Sequence, residues 1–175
     1  MHQYDYIVVG AGSAGSALAN RLSESGKFTV CLLEAGGSDK KFWVQMPLGY
    51  GKVFHDPSVN WRYMTEPEPN LDNQSIYWPR GKVLGGSSSI NAMVWVRGHK
   101  RDYEEWNSVA PGWGWDNIKK IFNRIENWDG TSNISRGTNG PQSVHDVSSD
   151  VHPLTISYLK AASQVGIKNN ADYNG

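Results

Sequence analysis

One cysteine stands in 175 residues, so no internal disulfide can form. Cys31 lies in the apolar run Val30-Cys31-Leu32-Leu33, which reads as a buried structural thiol. Scarce cysteine fits a reducing, cytoplasmic setting. Nothing approaches the roughly 18 consecutive apolar residues of a membrane-spanning helix. The 17 basic and 17 acidic side chains cancel, leaving no field of one sign for nucleic acid or an anionic membrane. Association with a membrane periphery by other means stays open. No His, Cys, Asp or Glu spacing suggests a metal, and one cysteine excludes a cluster. The apolar pattern begins by Tyr4, leaving no room ahead of it for a targeting peptide. No internal repeat is present.

Glycine and tryptophan are plentiful instead. All eight tryptophans fall between Trp43 and Trp128. Rings of that size need large surfaces to bury against, and one ordinary domain offers few. The chain reads as expecting more protein around it.

Asp5 to Val9 suits a strand buried on both faces. Ala14, Ala17, Leu18 and Leu22 then recur at helical spacing, and Gly26 closes that helix. Thr29 to Leu33 is a second buried strand. Residues 1–35 therefore read as a βαβ unit, with small Ala14 and Ala17 where helix and sheet approach closely. Residues 36–79 carry prolines 47, 57, 67, 69 and 79 among aromatics, an irregular but ordered excursion. Residues 80–104 hold a glycine-serine segment leading into a helical stretch through Met93. Residues 105–175 complete a helical and loop region. Within it, a short helix covers 101–108, and Asp116 caps a helix striped by Ile118, Ile121, Phe122 and Ile125. Asp129 to Gly140 is a surface loop. A last helix runs from Pro153 to Gly166, with Leu154, Tyr158, Ala161, Ala162 and Val165 facing inward.

Gly10-Ala11-Gly12-Ser13-Ala14-Gly15 joins the first strand to its helix. Gly10 makes the sharp turn, Gly12 lets a pyrophosphate touch bare backbone, and Gly15 lets helix pack on sheet. The phosphates then meet the free N–H groups at the helix start. Glu34 lies at the end of the second strand, where a carboxylate accepts bonds from both hydroxyls of an adenosine ribose. It would repel a 2′-phosphate. This fingerprint alone does not separate FAD from NAD.

A second segment, Arg80-Gly81-Lys82-Val83-Leu84-Gly85-Gly86-Ser87-Ser88-Ser89-Ile90-Asn91, brings bare backbone and hydroxyls close to a large flat ligand. Asn91 suits the polar edge of an isoalloxazine, where donors stabilise the reduced, negative ring. With Trp95, Gly98 and Glu104 in place, the segment resembles the signature of the glucose-methanol-choline oxidoreductases. So do Leu33-Glu34-Ala35-Gly36-Gly37, Asn60-Trp61-Arg62-Tyr63, Arg97-Gly98-His99, Gly112-Trp113-Gly114-Trp115, Gly140-Pro141 and Asp172-Tyr173-Asn174-Gly175. The likeness is to the choline and alcohol dehydrogenase branch.

That resemblance implies an α/β, Rossmann-like FAD-binding fold, incomplete here, with residues 1–175 as its N-terminal portion. It implies hydride transfer from an alcohol to flavin N5, with oxygen or a quinone-like acceptor taking the electrons onward. Gly10, Gly12, Ser13, Ala14, Gly15 and Glu34 would surround the ADP moiety. Val83, Gly86, Asn91, Ala92, Met93 and Val94 would surround the riboflavin part. The family's catalytic histidine matches no position here and is expected beyond Gly175. His2, His145 and His152 read as solvated, His55 has no carboxylate partner in a motif, and His99 reads as structural. Trp61 and Tyr63 read as core packing before substrate lining, and Asp102, Glu104 and Glu105 as a solvated helix face. Two rivals remain: a flavin-free regulatory protein on the same fold, and an NAD-dependent dehydrogenase.

Overall fold

The computed structural model describes residues 2–131 and 135–174. The chain separates into two compact units, one ending at Val94 and the other starting at Trp95. The division falls inside the second glycine signature.

The first unit opens with strand β1 (Tyr6–Val9), helix α1 (Ser13–Ser23) and strand β2 (Val30–Leu33). The strands pair in parallel, Tyr6 opposite Val30 through Val9 opposite Leu33. This is the expected βαβ unit. Gly15 brings α1 against the strand, since a Cβ there would lie 1.9 Å from the Gly10 carbonyl oxygen and 3.4 Å from Val8. The close approach therefore rests on Gly15; Ala14 and Ala17, expected to serve it, are exposed. The two strands are not buried on both faces either. Val8 points toward α1 and is buried, whereas Ile7 and Val9 are 62% and 82% exposed. Side chains alternate along a strand, and only one face of this two-stranded ribbon is covered. Cys31 is half-buried for the same reason.

Asp5 closes the open end of this ribbon. Its carboxylate accepts from the Thr29 amide at 2.7 Å and from the Thr29 hydroxyl at 2.8 Å. The Thr29 backbone bond, then its hydroxyl, holds the carboxyl below the usual carboxylate range. A lowered folded pKa gives stability that is present above the unfolded value and lost as pH falls through the folded one. Asp5→Ala is thus expected to melt below wild type at pH 6, with the gap closing as the solution is acidified past the ordinary carboxylate range. A gap that stays constant with pH in thermal melts would contradict this.

The excursion holds two short helices, α2 (Phe42–Gln45) and α3 (Tyr50–Val53), and an antiparallel pair, β3 (Tyr63–Met64) with β4 (Tyr77–Trp78). Val53, Val59, Val83 and Ile90 form the buried cluster, with Val44 packed against it. Each valine so enclosed contributes about 1.5–3 kcal/mol. The core of this unit therefore lies where the excursion meets the second signature, away from the βαβ ribbon. Gly86–Ser89 form one 3-10 turn, and the helix expected through Met93 is absent. Met93 has φ of +59°, a left-handed backbone that no right-handed helix can continue through.

The second unit contains α4 (Lys100–Val109) and α5 (Trp115–Ile125), strand β5 (Glu126–Trp128) parallel to β6 (Gln142–Val144), and α6 (Pro153–Gln164). Gly114, rather than Asp116, is the cap of α5, and Asp116 sits inside the first turn. Ile118, Ile121, Phe122 and Ile125 face Tyr103, Trp106 and Trp113 around a cavity of about 430 Å³. Helix α6 buries no residue, so its expected inward face is not observed; Leu154 and Tyr158 are 71% and 75% exposed. His152 and Pro153 start it by local capping, and that signal operates without any core to pack on. The expected loop at 129–140 includes residues 132–134, which lie outside the described set, as does Gly175.

Candidate cofactor-binding site

The two glycine segments, more than 70 residues apart along the chain, meet directly. Gly12 and Gly85 form a parallel β-bridge, and the Gly85 amide donates to the Ala11 carbonyl at 2.8 Å. Leu84 N donates to Gly37 O at 2.9 Å, so the segment that follows β2 joins the same seam. Gly86 has φ of +57°, and a Cβ on it would sit 2.8 Å from the Gly12 Cα. Only bare backbone fits on the Gly86 side of this contact.

Gly12 caps α1 without any side-chain bond, and Ser16 N bonds back to Gly12 O at 2.9 Å. The N–H groups of Ser13, Ala14 and Gly15 ahead of it have no intrahelical acceptor. A phosphate is the natural partner for such a terminus. Glu34 reaches the same loop: its carboxylate accepts from Ala11 N at 2.8 Å and from Gly36 N at 2.9 Å. It fixes the glycine turn from behind.

In the second segment the serines act differently from expectation. Ser88 Oγ and Ser89 Oγ donate to the carbonyls of Gly85 and Leu84, each at 2.6 Å, and Ser87 Oγ accepts from Gly81 N at 3.1 Å. Two of the three hydroxyl protons therefore hold the loop in shape. Val83, expected beside the riboflavin part, is instead wholly buried in the valine cluster and presents no exposed atom to a ligand. Asn91, Ala92, Met93 and Val94 are exposed, and Asn91 Oδ1 accepts from Met93 N at 2.8 Å. Beside Asn91 lies a cavity of about 130 Å³, lined by Asp39, Trp43, Met46, Tyr50 and Met93 among others.

Trp61 and Tyr63 do not pack in the core. They stack on one another, 5.9 Å apart and 6° from parallel, with the Lys82 ammonium 4.7 Å above Trp61. Both rings stay half-exposed, because the β3–β4 pair has no layer over that face. His99 caps α4, accepting from Arg101 N at 3.2 Å, while Asp102 accepts from His99 N at 3.0 Å. Asp102, Glu104 and Glu105 are exposed as expected. His152 caps α6, His55 stacks on Tyr77, and His145 pairs with exposed Asp129. The His145 bond, foremost, lowers the Asp129 pKa.

Sequence spacing gave no sign of a buried ion cluster in the second unit. Glu126 is fully buried and takes Arg97 and Arg136, each at 2.5 Å, on its two oxygens. Arg136 Nε also meets Asp172 at 3.0 Å, and Arg97 N donates to Asn174 Oδ1 at 2.7 Å. Two guanidinium charges face two carboxylates, so the cluster is balanced. It ties the 172–174 segment to residues 95–97 and leaves Arg97 Nε buried without a partner among the described residues.

The family model for GMC oxidoreductases matches residues 4–175. The chain belongs to the glucose-methanol-choline oxidoreductase family. It is 46% identical over 174 residues to an oxygen-dependent choline dehydrogenase of Rhizobium etli, covering 99% of this chain and 32% of that one. It is 45% identical to an alcohol dehydrogenase [acceptor] of Pseudomonas putida, covering 98% and 31%. Among solved structures, pyridoxine 4-oxidase from Mesorbium loti superposes with a TM-score of 0.86 at 33% identity, covering 94% of this chain and 32% of that one. The chain thus spans about a third of the length of these relatives. The fold is the Rossmann-like one expected, and FAD is the family's cofactor. The joined glycine segments fit it: one uncapped helix start for a diphosphate, and one left-handed glycine pair pressed on the same loop.

Proposed function

We propose that this chain supplies the FAD-holding portion of an oxidoreductase acting on the CH–OH group of an alcohol. The carrying observation is the direct junction of Gly12 with Gly85 and Gly86, which closes two separate backbone patches around one ligand. When bound, FAD would take the hydride of the carbinol carbon at N5, giving an aldehyde or ketone. The residues of this chain bind and orient. Ser13, Ala14 and Gly15 offer N–H groups to the diphosphate, and Glu34 shapes their loop. Glu34 is the carboxylate that would accept the ribose hydroxyls. Ala92, Met93 and Val94 would border the ring, with Asn91 at its polar edge. Residues 1–175 form one functional portion on this reading, although they fold as two units. On the family resemblance, the base that takes the hydroxyl proton is a histidine outside residues 1–175, while here His55 stacks on Tyr77, His99 and His152 cap helices and His145 pairs with Asp129. Choline-like and simple alcohols are the substrate classes supported by the relatives' names, with oxygen or a quinone-like acceptor reoxidising the flavin.

The complete protein is expected to purify yellow and to bleach under anaerobic conditions on addition of choline or a primary alcohol. Residues 1–175 alone are expected to show no steady turnover of either. A colourless complete protein that cannot be reconstituted with FAD would overturn the proposal.

A further inference from the structure

Arg80, which opens the second glycine segment, is bonded to a side chain from elsewhere. Asn60 is 2% exposed and satisfied on both ends of its amide. Its Oδ1 accepts from Arg80 N at 3.0 Å and from Arg62 N at 2.9 Å. Its Nδ2 donates to the Phe54 carbonyl at 2.8 Å and to the Tyr77 hydroxyl oxygen at 3.3 Å. The backbone follows the same path. Asn60 bridges Gly81, Trp61 N donates to Arg80 O at 2.9 Å, and Lys82 N donates to Val59 O at 2.7 Å. Residues 80–82 are therefore held by the excursion, while Gly85 and Gly86, three to six residues on, are held by the Ala11–Gly12 turn.

We infer that Asn60 is a positioning residue for FAD: it sets the register in which residues 80–91 lie against the first glycine turn. The excursion thereby decides how the cofactor is held, without itself touching it. The physical basis is geometric. A segment pinned at both ends has one register; without the Asn60 side chain the 80–82 end keeps only its backbone bonds to Val59 and Trp61 and shifts more easily, and a slip of one residue reverses every side chain. Losing the Asn60 amide would also take this acceptor from the part-buried N–H of Arg80, while the Phe54 carbonyl keeps the Tyr77 hydroxyl as donor. The inference rests on the flavin reading above.

The test uses the complete protein and three readouts: FAD occupancy, visible circular dichroism of the bound flavin, and occupancy as a function of pH. Asn60→Leu removes all four bonds and is expected to weaken FAD binding by at least about tenfold and to alter the dichroism. Asn60→Asp is the sharper variant. When protonated, its carboxylic acid accepts from Arg62 and Arg80 and donates to Phe54, as the amide does. When ionised, it places an unpaired charge in a buried site. Its FAD occupancy is therefore expected to approach wild type near pH 6 and to fall by several-fold near pH 8, while wild type stays flat. If Asn60→Leu does not fold, the pH profile of Asn60→Asp decides. Occupancy of Asn60→Asp that is flat and equal to wild type across that range would overturn the inference, as would a Leu variant with full FAD and unchanged dichroism. A wild-type protein that is itself colourless would instead refute the flavin reading.

Discussion

Gly12→Ala is expected to leave the apoprotein as stable as wild type and to strip most of its flavin. The backbone at Gly12 has φ of −74° and ψ of −173°, which alanine adopts freely. The added methyl would meet only the Gly86 Cα, at 3.9 Å, an ordinary contact. The protein therefore accommodates it, and the open side where a diphosphate would lie is narrowed. Gly15→Ala is the contrasting case. Its Cβ would fall 1.9 Å from the Gly10 carbonyl oxygen, and no rotamer can relieve a clash with backbone. Forcing a methylene into such a contact costs about 1–3 kcal/mol, so that variant is expected to lose both melting temperature and FAD, the latter by about tenfold or more. Differential scanning and flavin absorbance on the complete protein distinguish the two. Equal losses of stability in both variants would show that Gly12 is a packing glycine and no more.

The second large effect is expected at Glu126. Its side chain is fully buried between two guanidinium groups. Truncation to alanine strands the Arg97 guanidinium in a site with little solvent and leaves Arg136 with Asp172, which costs about 3–5 kcal/mol. Glu126→Gln keeps both acceptor-sized positions but only one oxygen, and is expected to fall between. Denaturant titration of the complete protein measures this; an alanine variant within about 1 kcal/mol of wild type would contradict it. Flavin content of the folded fraction should be unaffected.

The cofactor fingerprint was legible in the residues because it is local. A strand, a glycine turn, a helix and an acidic residue occur in order, and each has a spacing rule. Gly10 to Gly15 and Glu34 come together as that rule demands. The junction of Gly12 with Gly85 was not legible, since no periodicity relates positions so far apart. Burial was misjudged wherever it depends on other layers. Val9 and Tyr158 have the pattern of inward-facing residues, but both are largely exposed among the described residues. The stretch from Asn91 to Met93 has the composition of a helix, yet the Asn91 side chain bonds Met93 N and turns the backbone left-handed. That competition between side chain and backbone is decided by packing that spacing does not record. Charged residues are usually solvated, and nothing in the spacing of Arg97, Glu126 and Arg136 marks them as buried; their mutual neutralisation is a tertiary fact.

The seam between Ala11 and Gly85 also governs timing. Emerging from the ribosome, the first glycine turn has no partner until synthesis has passed the second one, a closure of long sequence separation that is slow to find by chance. A nascent chain stalled ahead of Gly85 would present half a cradle to free coenzyme, so loading waits on translation of the later segment.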